Sequence, residues 1–156
     1  MENLQQKADF LRDQYTNILA GLDAGTPARW GKMNVQQMIE HMSDYVRIAS
    51  GKTLLESVTP EEKLPRVRAF LESEKPFPEN TPNALMPETP PPTRHATKSD
   101  AIAELRSELD HFFAVHEQDK SKTTQSPFFG VLDFDHQVQL LHKHSTHHLR
   151  QFGLDY

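Results

Sequence analysis

Two histidines four residues apart, His144 and His148, stand in Val138-Gln-Leu-Leu-His-Lys-His-Ser-Thr-His-His-Leu-Arg-Gln151 where a helical pattern calls for leucine. On a helix advancing about 100° per residue, Val138, Leu140, Leu141, Leu149 and Phe152 share one face, and both rings fall within it. Burying an imidazole costs free energy unless each ring nitrogen finds a hydrogen bond or a metal. Rings on successive turns, both aimed at a core, can meet one ion. The competing reading is a pair of core histidines satisfied by tyrosine, aspartate or backbone groups. In a chain with nine histidines the spacing alone is weak. The phase carries the argument.

The other histidines rank by position. His147 edges the same face and is the substitute ligand if the register slips, whereas His136 and His142 lie just outside it. His41 falls at the border of a second apolar stripe, Val35, Met38, Ile39, Met42, Val46 and Ala49, beside Tyr45 and Ile48. There a ring looks into a gap between helices or sits half exposed, and both readings stand. His111 projects to a solvated side, and His116 reads as a capping or satisfied histidine. Neutral imidazoles from two helices suit zinc, nickel or iron(II). An open coordination position would let such an ion lower the pKa of water or bind a thiolate or carbonyl. Tyr45, Asp44 and Gln151 are the candidates to orient a ring or a water from outside the ligand set.

Composition removes other chemistries. Cysteine is absent, so there are no disulfides, thiolate sites or cysteine nucleophiles. A net charge of −5 offers no basic field for nucleic acid. No His-Glu-x-x-His, glycine-rich phosphate loop or Gly-x-Ser-x-Gly elbow occurs. The polar start, Met-Glu-Asn-Leu-Gln-Gln, lacks a signal-peptide core, and no apolar run is long enough for a bilayer. The expectation is a cytoplasmic protein acting on a small molecule, with neither nucleic acid nor membrane as partner.

Four amphipathic helices must position these groups. The first spans residues 3–21, with Leu4, Ala8, Leu11, Tyr15, Ile18 and Leu19 inward. The second opens at an Asn34–Gln37 capping box and ends at Gly51. The third follows a Ser99 cap to about Glu117, and the fourth follows Asp133 and stops at Gly153. Between helices 2 and 3, Thr59-Pro-Glu-Glu predicts short helical turns across 60–73 that Pro65 interrupts. Residues 75–98 then hold seven of the eleven prolines, read as an extended crossover rather than a ligand for a groove-binding partner. Lys120–Gln125 reads as a polar loop and Ser126-Pro-Phe-Phe-Gly130 as an aromatic turn plugging one end of the core. With no convincing strand, the prediction is an all-α four-helix bundle in one domain, 1–156. The crossover permits an up-down-down-up order.

Trp30-Gly-Lys-Met-Asn-Val-Gln-Gln-Met-Ile-Glu-His41-Met, Pro127-Phe-Phe-Gly130 and Lys143-His-Ser-Thr-His-His-Leu-Arg-Gln-Phe-Gly153 together resemble the DinB/YfiT-like superfamily, in one of its domain-of-unknown-function branches. The likeness spans nearly the whole chain. It implies an up-down-down-up four-helix bundle, often a homodimer. It also implies a divalent metal held by one histidine of helix 2 and two of helix 4, here His41, His144 and His148. Some relatives are thiol-dependent transferases or isomerases using low-molecular-weight thiols, and many have no known reaction. The resemblance therefore implies a metal-dependent enzyme activating water or such a thiol. The alternative is a non-catalytic bundle whose histidines are structural or sense metal.

Overall fold

Asn34 shows why the helix carrying His41 begins where it does. Its side chain accepts a hydrogen bond from the Gln37 backbone N–H at 2.8 Å, and the Gln37 side-chain oxygen accepts from the Asn34 N–H at 2.9 Å. Two donors that a helix start leaves orphaned are thereby satisfied. In the computed structural model, which describes residues 1–81 and 83–156, this helix, α3, runs Val35–Ser50 and ends on Gly51 at φ 83°. That left-handed turn favours glycine.

The expected first helix is helical throughout but not uniform. It comprises α1 (Leu4–Asp9), a π-helical segment (Phe10–Gln14) and α2 (Tyr15–Gly21), with Leu11, Tyr15 and Leu19 fully buried. α4 (Leu64–Glu72) follows a 3₁₀ turn, Glu61–Lys63. Here the sequence reading is corrected. Pro65 lies in the first turn of α4, where its missing N–H costs nothing, so it starts a helix instead of interrupting one. Thr59 caps no helix; its hydroxyl donates to the Phe128 carbonyl at 2.8 Å. α5 (Lys98–Gln118) starts one residue before Ser99, because Thr97 in extended conformation accepts from the Asp100 N–H at 3.1 Å. α6 (Phe134–Gln151) has the expected Asp133 cap on His136 N–H.

The structure is mostly helical, with one addition to the all-α expectation. β1 (Thr124–Ser126) pairs antiparallel with β2 (Gly130–Leu132), placing Thr124 opposite Leu132 and Ser126 opposite Gly130. Three-residue strands are too short to show a period-two pattern in sequence. In the turn between them, Ser126 Oγ accepts from the Phe129 N–H at 3.2 Å.

α3 packs chiefly on α5, α1 on α6, and α2 on α5. The main core takes Met38, Ile39 and Met42 from α3, Leu105 and Phe112 from α5, and Leu141 and Leu149 from α6. A second cluster joins Leu71 of α4 to Phe129 and Leu132 of the hairpin, with Phe77 and Leu140 packed against it. It forms a shoulder beside α6. The proline-rich segment leaves this shoulder and returns to α3, where the buried Glu40 holds it. The Glu40 carboxylate accepts from the Arg94 N–H at 2.7 Å and from Gln36 Nε2 at 3.0 Å. Pro82 lies outside the described residues. No helix among the described residues is long and apolar enough to cross a membrane.

Candidate metal centre

α3 and α6 bring His41, His144 and His148 together. His41 Nε2 and His144 Nε2 lie 3.1 Å apart, and His148 Nε2 and His144 Nε2 lie 2.9 Å apart. One ligand atom from each of the three lies within 4.8 Å of the others. Ligands about 2.0–2.1 Å from one zinc ion, at angles between 90° and tetrahedral, would stand roughly 2.9–3.4 Å from each other. The two separations from His144 Nε2 fall in that span. His41 sits at the border of α3's buried face, with its ring turned into the gap between helices.

Hydrogen bonding fixes one tautomer. The Trp30 carbonyl can only accept, and Gln151 Nε2 donates to it at 2.9 Å. Gln151 Oε1 therefore faces His148 Nδ1, at 2.7 Å, so Nδ1 carries the proton and Nε2 presents its lone pair to the cluster. His144 Nε2 has at most one hydrogen to share between two neighbouring nitrogens, and a cation satisfies all three at once. Gly31, at φ 75°, makes this support possible, since a Cβ there would stand 3.0 Å from Gln151 Nε2.

Burial keeps the rings neutral. It lowers the His41 pKa to about 4, with the charge of His147 adding to the effect. His144 and His148 fall well below the usual imidazole range, first through burial and then through mutual repulsion with neighbouring histidines. Neutral imidazole is the form that binds metal, so the donor set fits a borderline divalent ion.

The outer groups divide. Gln151 orients a ring, as expected. Tyr45 packs on His41 and His144 with ring centres 4.8 Å from each. Its hydroxyl accepts from Asn83 Nδ2 at 2.9 Å, and burial raises its pKa. Acting as acceptor in that bond, Tyr45 retains its phenolic hydrogen for donation. Asp44 does not serve the rings; it pairs with Arg47 at 3.0 Å and Arg94 at 3.1 Å.

Of the remaining histidines, His147 borders the cluster, its ring centre 5.1 Å from that of His148. His147 is buried against Trp30, 5.3 Å between ring centres, and Phe77, 5.9 Å. His142 lies edge-on to Phe10, and His136 is held between Asp133 and Glu72. His116 is buried with Nε2 3.3 Å from the Ala49 carbonyl, but its Nδ1 is buried with no hydrogen-bond partner, so the expected satisfied histidine is met at one nitrogen only. His111 is half-buried, not fully solvated.

All three clustered histidines open on a cavity of about 610 Å³. Its other walls include Trp30, Tyr45, Phe77, Asn83 and Phe128. The sequence reading gave Phe77 and Asn83 no role, because the segment holding them lacks a periodic pattern. Its length was the available signal, since long structureless connections in compact folds are commonly functional. No known family model matches this chain, and no curated protein matches it significantly.

Proposed function

We propose that this protein is a metal-dependent enzyme of the DinB/YfiT-like superfamily, with His41, His144 and His148 as ligands of a divalent ion and a small molecule as substrate. The observation that carries the reading is the convergence of three neutral imidazole nitrogens on the wall of a cavity large enough for a small molecule. A structural metal site is closed by its ligands, whereas these three open onto space. That favours catalysis over the structural or sensory alternative. When bound, the ion supplies Lewis acidity, lowering the pKa of water or a low-molecular-weight thiol or polarising a carbonyl. The chain contributes the ring orientation set by Gln151, a hydroxyl hydrogen from Tyr45 and an aromatic wall that limits water.

The four-helix bundle of up-down-down-up order belongs to the same proposal. Support comes from four helical stretches at residues 4–21, 35–50, 98–118 and 134–151, the long link between α3 and α5, and the packing of those two helices on each other. A homodimer is part of it too, and light scattering gives the mass in solution.

Metal analysis of untagged protein tests the reading. One equivalent of zinc, nickel or iron is expected, and it should vanish in His144→Ala/His148→Ala while far-ultraviolet circular dichroism is retained. Metal-free protein that takes up no divalent ion on titration would refute the site.

A further inference from the structure

The cavity sets the histidine cluster against a largely apolar wall. Trp30 comes from the loop before α3, Phe77 and Pro87 from the crossover, Phe128 from the hairpin turn and Leu140 from α6. Phe77 stands edge-on to His144, ring centres 6.3 Å apart. The charged side chains on the lining, Lys32 and Glu88, pair with each other at 3.2 Å and are largely exposed. The histidine cluster contains no carboxylate. The nearby acids are engaged elsewhere, Asp44 with two arginines and Glu40 with the returning crossover. An ion on three neutral imidazoles therefore keeps its full double charge, in surroundings where charge is poorly screened. An anionic ligand is favoured there. Tyr45 adds a hydroxyl hydrogen beside two of the rings, which an anionic oxygen accepts better than sulfur does.

We propose that the cavity takes a small monocarboxylate with an apolar body, one carboxylate oxygen meeting the histidine cluster, the other Tyr45, and the body lying against Trp30, Phe77 and Phe128. The head-group half of this rests on the metal reading above. The body half does not, because the wall belongs to the chain with or without an ion.

The test uses Trp30, the single tryptophan, as a fluorescent reporter in the cobalt(II)-loaded and metal-free chain. The probes are straight-chain carboxylates from acetate to octanoate, with alkylamines and alkanethiols of matching length. In the loaded protein each added methylene should tighten binding roughly threefold to fourfold until the cavity is filled. Carboxylates should bind at least tenfold more tightly than amines. Tyr45→Phe should erase the preference for carboxylate over thiol while keeping the methylene slope, and Phe77→Ala should flatten that slope. In the metal-free chain the slope should persist and the preference for carboxylates over amines disappear. A flat series in both forms, amines binding as well as carboxylates to the loaded protein, or an unchanged preference for carboxylate over thiol in Tyr45→Phe would overturn the proposal. Failure of cobalt to load, seen in its absorption spectrum, would instead refute the metal reading, with the metal-free slope still deciding the wall.

Discussion

At His148 the proton sits on Nδ1 because Gln151 is anchored at its other end by the Trp30 carbonyl. Removing that anchor should loosen the ring without touching a ligand. Gln151→Leu is expected to weaken zinc affinity by about 10–100-fold, measured by competition with a chromogenic chelator. Unaltered affinity would show that packing alone orients His148. The depressed histidine pKa values have a second consequence. His41 and His142 titrate near pH 4 in the fold, chiefly because of burial, against an ordinary 6.5. Between those values the unfolded chain binds more protons, so stability increases with pH across that window. Each such histidine contributes up to about 1.4 kcal/mol per pH unit. Glu104 is held near 2, its bonds to Arg94 and His95 outweighing the opposing effect of burial, so its stabilising contribution fades only below pH 4.5. The melting temperature of metal-free protein should therefore fall as pH drops from 6.5 to 4.5, before the carboxylates titrate. A level profile by circular dichroism would mean the rings are not buried neutral.

Among the elements, the crossover forms no helix or strand among its described residues between α4 and α5 yet walls the cavity, so its position depends on its ends. At one end the buried Lys143 of α6 donates to the Ser73 carbonyl at 2.8 Å and also to the Lys75 carbonyl. At the other, Glu40 receives the Arg94 N–H. Between them Asn83 donates to Tyr45. Glu40→Ala would leave the Arg94 N–H without its acceptor, a cost of about 1–3 kcal/mol. Limited proteolysis should then cut within residues 76–94 several-fold faster than in the parent chain, with the helices intact. Equal cleavage rates would place the hold elsewhere.

For the molecule as a whole, three neutral rings gathered without a cation are a local cost that folding must carry, and a bound ion reverses it. Zinc at a thousandfold its dissociation constant should stabilise the fold by about 4.1 kcal/mol. The gain should be absent in His144→Ala/His148→Ala, as read from thermal melts with and without metal. A similar gain in the variant would locate the metal elsewhere.

Local physics wrote much of this protein openly into its sequence. The Asn34–Gln37 box, the Asp133 cap and the stop at Gly51 rest on contacts within a few residues, and so were legible there. So was the presence of His144 and His148 on one face of α6, which follows from helical periodicity alone. Contacts distant in sequence were not legible. Periodicity left His41 open between surface and site, and only the approach of α3 to α6 brought its ring within 3.1 Å of His144. Phe77 and Asn83, in a segment without periodicity, became cavity wall through the anchoring of its two ends, and the hairpin emerged from pairing between strands too short to announce themselves. A helix fixes which residues share a face; the packing of one element on another decides what that face meets.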